Sequence, residues 1–166
     1  MLRRDPVGRW VIGYRALALG RAAAGAVPIA QAGLPALAEL RDITGESVQL
    51  YVRDGEHRVC VASLESPHGL RTIVPTGARL ELGRGSGGRV LLDDTPDADG
   101  PVETVGEREP GVASVSAAVR DVAGAVVAAV SVSGPIERLS REPAQRHGDA
   151  VVAAARRIER DAGLQS

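Results

Sequence analysis

The chain has 166 residues, of which 44% are hydrophobic, 2% are aromatic and none is phenylalanine. Lys and Arg together number 20 and Asp and Glu 21, so the net charge of −1 argues against a nucleic-acid-binding surface on this chain. The single cysteine, Cys60, excludes an internal disulfide and every cysteine-based zinc finger. Asp5, Pro6 and Gly8 stand where a signal peptide would have its apolar region, and no apolar run reaches the ~18 residues that span a membrane, so we expect a cytoplasmic protein.

The first part of the chain is predicted to form a pair of short strands and two helices. Residues 2–12 favour two strands around a Pro-Gly turn, a ribbon that is marginal in water by itself. An Ala-rich helix is expected from Tyr14 to Ala24, and a second from Pro28 to Ile43. Pro35 either kinks this second helix or marks its true start near Leu34.

The middle of the chain predicts an antiparallel meander. Ser47–Arg53 and Glu56–Ser63 flank an Asp-Gly dipeptide, which is typical of a hairpin with a type I′ turn. Two shorter strands are expected over Leu70–Val74 and Ala78–Leu82, and another over Val102–Val105.

A second long hairpin is predicted where two apolar runs, Val112–Val119 and Val126–Ser133, flank a polar turn. Ser131 and Ser133 share one face of the second strand, because side chains two apart on a strand point the same way. Hydroxyls within an apolar strand either bond to neighbouring groups of the protein or contact a ligand, and both alternatives stay open at this point.

The last predicted element is an amphipathic helix over Glu142–Ala162. Its apolar face is formed by Val151, Val152, Ala155 and Ile158. With hairpin-linked strands in the middle and helices before and after them, the chain is predicted to be an α+β protein.

The segment Gly83–Gly88 matches the G-x-G-x-x-G pattern of dinucleotide-binding folds. The helix predicted after it is only about a turn and a half long and the strands around it are hairpin-linked, which argues against that fold. Arg89 and Val90 stand where a P-loop requires Lys and Ser or Thr. The glycines therefore either pack the loop closely on the sheet or offer backbone N–H groups to a small anion.

No catalytic or metal-binding pattern is present. His57, His68 and His147 lack the spacing of metal ligands, and we expect them to be solvated. Cys60 lies in the middle of a predicted strand and is expected to be a core residue. The sequence therefore predicts no enzyme, no metal and no cofactor.

The order of the motifs resembles the C-terminal effector-binding domain of IclR-type bacterial transcriptional regulators. A TGE triplet precedes the first long strand, and the DG hairpin and the Gly/Ser-rich helix start follow. An E-x-x-x-G-V motif then precedes the second hairpin, which closes on S-x-S-G-P. Within the family the chain is similar to the NdgR/AreB-type regulators of amino-acid metabolism.

The resemblance implies a GAF-like antiparallel sheet with flanking helices, association into dimers or tetramers, and a small effector, an amino acid or a small carboxylate. Residues 1–25 would be the remnant of a wing hairpin and a linker helix, and residues 26–166 the effector-binding domain. DNA would be bound only through a helix-turn-helix domain that is absent from this chain. In the alternative, the chain is a free-standing dimerisation or interaction module without DNA binding of its own.

The family's pocket, matched position by position, implies a set of effector-binding residues in this chain. They are Ser86, Gly87, Ser114, Ser131 and Ser133. Between Leu92 and Val102 the family carries a longer helical insert that covers one side of the pocket. The short Asp93–Pro101 segment would leave the pocket open, weaken binding or remove sensing altogether.

Overall fold

The computed structural model describes residues 2–13, 15–16, 18–20, 28–93 and 99–165. The numbered helices and strands are, in chain order, β1 (Leu2–Arg4), β2 (Trp10–Ile12), α1 (Pro28–Thr44), β3 (Ser47–Asp54), β4 (His57–Leu64), β5 (Arg79–Glu81), α2 (Ser86–Leu91), β6 (Val102–Val105), β7 (Val112–Arg120), β8 (Val126–Pro135), α3 (Ile136–Leu139) and α4 (Pro143–Asp161). Of the helix expected over residues 14–24, residues 15, 16 and 18–20 are helical. The rest of it lies outside the described residues.

Strands β3 to β8 form one antiparallel sheet in the order β5-β4-β3-β8-β7-β6. Both predicted long hairpins are present, and β3 pairs with β8 to join them at the centre of the sheet. Strands β1 and β2 form a separate two-stranded ribbon, as expected. The prediction of an α+β fold with an antiparallel sheet and flanking helices is confirmed.

The turn between β3 and β4 differs from the predicted type. Asp54 pairs with His57, so the two turn residues are Gly55 and Glu56. Gly55 has φ +60°, whereas Glu56 is not among the described residues with positive φ. A positive φ at the first central position alone is the pattern of a type II′ turn. The type I′ prediction was wrong because Asp54 continues the strand.

Helices α1 and α4 cover one face of the sheet. Alternate residues of the central strands, such as Val48, Val115 and Val132, point to this face and are fully buried. Leu37 of α1 and Ile158 of α4 pack against them and are also fully buried. The apolar core therefore lies between the helices and this face, which leaves the side chains of the other face for the site described below.

Helix α1 runs without interruption through Pro35, so it does not start near Leu34. Leu37 and Leu40 are buried, but Ile43 is 63% exposed. Ile43 follows Leu37 by six residues, which at 3.6 residues per turn rotates it well away from the buried stripe. The predicted helix α4 is confirmed, although Val152 on its predicted apolar face is only half-buried.

The strand predicted over Leu70–Val74 does not exist. Thr72 and Val74 are buried, as the alternation of the segment predicts. The Thr72 carbonyl, however, accepts a hydrogen bond from the Ser47 side chain, with Oγ at 2.7 Å, and not from a neighbouring strand. The second half of β4 pairs with the turn before β5, where Cys60 N–H donates to the Ala78 carbonyl at 2.9 Å. Strand β5 is correspondingly shorter than predicted.

Candidate functional site

The face of the sheet away from α1 and α4 carries two rows of polar side chains. Strand pairing aligns Ser47, Ser133, Ser114 and Thr104 in one row, and Gln49, Ser131 and Ser116 in the next. All of them are buried except Ser114, which is half-buried. Polar groups taken out of water need hydrogen-bond partners, so this face is chemically distinct from the apolar core.

Helix α2 lies over these rows at very short range. A Cβ atom on Gly88 would lie 1.9 Å from the Leu82 carbonyl oxygen, and one on Gly87 would lie 3.3 Å from the Tyr51 ring. The backbone N–H of Ser86 donates to Thr104 Oγ1 at 3.1 Å. The Gly83–Gly88 segment therefore packs closely on the sheet, and its amides at Gly85 and Ser86 already have protein partners.

Five hydroxyls form a continuous chain of hydrogen bonds across α2, β6, β7 and β8. In order they are Thr104, Ser114, Ser86, Ser116 and Ser131, with O···O distances of 3.0, 2.7, 2.7 and 2.7 Å. Each hydroxyl has one proton to donate, so four bonds among five hydroxyls leave one proton for another acceptor.

Gln49 extends this polar surface along β3. Its Oε1 atom accepts a hydrogen bond from Ser133 Oγ at 3.0 Å. Its Nε2 atom is fully buried and has no partner among the described residues. An unpaired buried amide nitrogen costs about 1–3 kcal/mol, so Gln49 favours an acceptor at this place.

All five residues implied by the resemblance line a single cavity. Its described walls are formed by Tyr51, Arg58, Gly85, Ser86, Gly87, Thr104, Arg108, Val112, Ser114, Ser131 and Ser133. The space open to the centre of a water molecule is about 20 Å³, which is room for about one water. The expected residues are therefore assembled, but around a small space.

Several residues of this site were not predicted. Ser116 and Thr104 could have been found by alternation, because Ser116 lies two residues after Ser114 on one strand and Thr104 is on the neighbouring strand. Arg58 and Arg108 gave no such signal, since arginines beside a hairpin turn and in a polar loop are expected to be solvated.

Arg58 is a buried cation. Its side chain enters the cavity wall from β4, and Nη1 donates to the Glu81 carbonyl at 2.7 Å and to the Arg84 carbonyl at 2.5 Å. The guanidinium lies over the Tyr51 ring, 5.2 Å from its centre. Burial lowers the pKa of Arg58, since it disfavours the charged form. Arg58 makes no ion pair within the described part of the chain, and its Nε atom has no partner there.

The buried phenol of Tyr51 and the buried thiol of Cys60, on β3 and β4, stay neutral near pH 7. Burial raises the pKa of Tyr51 to about 12 and that of Cys60 to about 12. Neither the phenol nor the thiol therefore carries a negative charge near pH 7 to compensate Arg58. The prediction that Cys60 is a core residue is confirmed, because its side chain is fully buried.

The remaining candidates contribute no second site. His68 is exposed, whereas His57 and His147 are half-buried rather than fully solvated. Burial, and then the charge of Arg146, lowers the pKa of His147. Within the described ranges no three His, Cys, Asp or Glu side chains are grouped so that they could hold a metal ion.

Comparison with known proteins identifies the class. The family described as "Bacterial transcriptional regulator IclR C-terminal" matches residues 21–101 and 98–160. The chain therefore belongs to the IclR family of bacterial transcriptional regulators and corresponds to its C-terminal domain. The members it resembles are regulators of transcription and not enzymes.

Individual relatives agree with this assignment. The chain is 27% identical to the HTH-type transcriptional repressor AllR of Klebsiella pneumoniae, over 96% of this chain and 71% of that protein. It superimposes on a transcriptional regulator from Rhodococcus sp. RHA1 with a TM-score of 0.84 and 25% identity, covering 93% and 77% of the two chains. The IclR structure from Thermotoga maritima, at 22% identity, shares the fold with a TM-score of 0.79 over 98% and 79%.

The comparisons also bear on the shortened segment after α2. The alignment with AllR runs over 194 positions, more than the 166 residues of this chain, so AllR has residues that this chain lacks. The two stretches that match the family meet at residues 98–101, within the segment expected to be short. Residues 94–98 of that segment lie outside the described residues.

Proposed function

We propose that the chain is the effector-sensing and oligomerising domain of an IclR-type transcriptional regulator. The observation that carries this proposal is the row of buried hydroxyls that meets α2 at one cavity. An apolar surface would hold α2 on the sheet without the cost of burying so many polar groups. Their concentration on one face, with donors left over, is typical of a binding site.

The proposal assigns the effector to a small class of molecules, amino acids or small carboxylates. Residues 26–166 hold it, and residues 1–25 connect to a DNA-binding helix-turn-helix domain. The effector shifts a dimer or tetramer between forms that differ in operator affinity, in the cytoplasm. Repression is the favoured direction, because the AllR relatives are repressors.

Binding requires one wall of the cavity to move, since the space holds about one water. Arg108 is the part of the wall best placed to do so. Its side chain is 20% exposed, and it lies on a loop between Gly106 and Gly111. These glycines have φ of +70° and +83°, a conformation in which glycine carries no steric cost. Movement of this loop enlarges the cavity without breaking the sheet.

The test is a thermal-unfolding and calorimetric screen of amino acids and small carboxylates against the chain. A ligand that binds the folded state raises Tm, and at a fixed concentration a tighter ligand raises it further. We expect Ser131→Ala and Ser133→Ala to remove that rise, whereas Thr76→Ala, an exposed hydroxyl in the turn before β5, preserves it. The proposal would be refuted if no amino acid and no small carboxylate bound, and if both serine variants gave the same unfolding and calorimetric results as wild type.

The small cavity favours a second candidate, a free-standing module that pairs with complete IclR-type regulators and binds no effector. Such a module forms heterodimers when it is expressed together with a complete family member. Co-purification of the two chains is the expected result, and exclusive self-association of each chain excludes this candidate.

A further inference from the structure

Arg58 is a buried charge that the fold does not neutralise. Only 3% of the residue is exposed, and it lines the same cavity as the serine hydroxyls. Its Nη1 atom bonds to two backbone carbonyls, but its Nε atom has no partner, and no carboxylate pairs with it among the described residues.

This arrangement is unfavourable unless the cavity holds a negative charge. Removing a guanidinium from water costs several kcal/mol, which carbonyl dipoles compensate only in part. The nearby phenol of Tyr51 is neutral near pH 7, so it interacts with the guanidinium without supplying a negative charge. An apolar side chain at position 58 would be easier to bury. The charge at this position is therefore best explained by something that the cavity binds.

The other polar groups around the cavity also favour a negatively charged ligand. None of its described lining residues is Asp or Glu, and Arg108 supplies a second cation. Gln49 Nε2 has no acceptor among the described residues, and four bonds among the five hydroxyls leave one proton unused within their chain. All of these unused groups are donors, which require an acceptor-rich ligand.

We propose that Arg58 is the counter-ion of the effector and makes the site select a small oxyanion, a carboxylate without an ammonium group. This deepens the proposed function and rests on it. A guanidinium pairs with a carboxylate through two parallel hydrogen bonds. Arg108 is paired with Glu109 at 3.6 Å, whereas Arg58 has no carboxylate partner among the described residues. The ammonium group of an amino acid would therefore face the unpaired guanidinium of Arg58. Of the two effector classes, the site therefore accepts small carboxylates and rejects amino acids.

The experiment compares ligands that share a two-carbon frame and differ in charge. Thermal unfolding of the chain is measured with acetate, glycine or acetamide, at constant ionic strength set with chloride. Acetate is expected to raise Tm, whereas glycine and acetamide do not. Formate and inorganic phosphate form two further arms, which separate a site for small carboxylates from one for any small oxyanion.

Variants at Arg58 test the assignment of the residue. Arg58→Met is expected to weaken acetate binding at least tenfold, and Arg58→Lys, which keeps the charge but loses the fork, to weaken it less. Arg79→Met is the matched control, because Arg79 is exposed on the neighbouring strand β5 and should leave acetate binding unchanged. If Arg58→Met does not fold, the Arg58→Lys variant and the comparison of acetate with glycine and acetamide still test whether Arg58 is the counter-ion.

Three outcomes would overturn the proposal. If glycine or acetamide raised Tm as much as acetate, the site would not select ligands by their negative charge. If that rise were lost in Ser131→Ala, the proposal that the domain senses an effector would still stand. Equal acetate affinity in wild type and Arg58→Met would remove Arg58 as the counter-ion. If acetate, formate and phosphate all left Tm unchanged, the proposed anion site would be refuted. The screen of amino acids and small carboxylates described above would then show whether the domain binds any effector.

Discussion

Gly88 determines how closely α2 can approach the sheet. A Cβ atom at this position would overlap the Leu82 carbonyl oxygen, a backbone atom that cannot swing away. Gly88→Ala is therefore expected to destabilise the fold by about 3 kcal/mol, the range of severe overpacking. Urea unfolding measures this change. Gly83→Ala is the control, because a Cβ there meets nothing within 4 Å, and a similar loss in both variants would contradict this account.

Glu46 forms a buried ion pair that holds the start of β3 to α3. Its two carboxylate oxygens accept from Arg138 Nε and Nη2 at 2.5 and 2.9 Å, and Arg138 also donates to the Leu70 carbonyl. Glu46→Gln removes the charge and is expected to cost about 2 kcal/mol of unfolding free energy, less than a fully buried pair because Arg138 is partly exposed.

The matched control for this pair is Asp42→Asn. Asp42 pairs with Arg41 on the exposed side of α1, where an ion pair contributes about 0–1 kcal/mol. Chemical denaturation of both variants makes the comparison. Equal stability of Glu46→Gln and wild type would mean that the Arg138 pair does not hold these elements together.

Alternation placed Ser131 and Ser133 on one face of a strand, and the family resemblance assigned them to a binding site. Alternation would also have placed Ser116 beside Ser114. Arg58 could not be predicted, because its burial depends on the approach of α2 from a distant part of the chain. A contact of that kind is set by tertiary packing and leaves no periodic pattern in β4.

At the scale of elements, a buried carboxylate fixes α4 against the end of β7. Glu159 is 3% exposed, and its side chain accepts from the Arg120 backbone N–H at 2.9 Å and from Arg156 at 2.9 and 3.1 Å. Glu159→Ala is expected to cost about 2–3 kcal/mol, since it leaves the Arg120 N–H without this acceptor. Faster hydrogen exchange at the Arg120 amide is the specific measurement.

Asp161→Ala provides the control on the same helix. Asp161 is partly exposed and contacts Arg157 at 3.4 Å, so its loss should change stability by less than about 0.5 kcal/mol. Unchanged exchange at Arg120 in Glu159→Ala would show that α4 is held by its apolar face alone.

Whether an element could be predicted depends on whether the interactions that form it are local in the sequence. The two long hairpins and α4 were predicted because alternation, turn residues and helical periodicity are local. The Leu70–Val74 segment has the alternation of a strand, with Thr72 and Val74 buried, yet it forms none. Its carbonyl at Thr72 is bound by Ser47 instead, a contact that spans 25 positions and cannot be read from local sequence.

At the scale of the whole molecule, two buried acidic groups predict a loss of stability in alkali. Cys60 and Tyr51 keep their protons in the folded state until their pKa values of about 12, whereas ordinary values are 9.0 and 10.0. Between these limits the unfolded chain binds fewer protons than the folded one. Full stability is therefore present below about pH 9 and falls as the pH rises towards 12, by up to about 1.4 kcal/mol per pH unit for each group.

Urea unfolding at a series of pH values from 8 to 11 tests this expectation. Between pH 9 and 10 the slope is expected to come mainly from Cys60, because the unfolded tyrosine is still largely protonated there. Cys60→Ala should lower stability at all pH values through the lost packing, but flatten the slope in this window. Parallel curves for the variant and wild type would contradict the assignment.

Amide chemical shifts measured while the isotope-labelled chain is titrated with acetate show where the molecule binds its effector. We expect the largest shifts at Ser86, Ser114, Ser131 and Ser133 and at the Arg58 side chain, with little change on α1 and α4. Shifts confined to α1 and α4, or no shifts at saturating acetate, would show that the effector does not bind at this cavity.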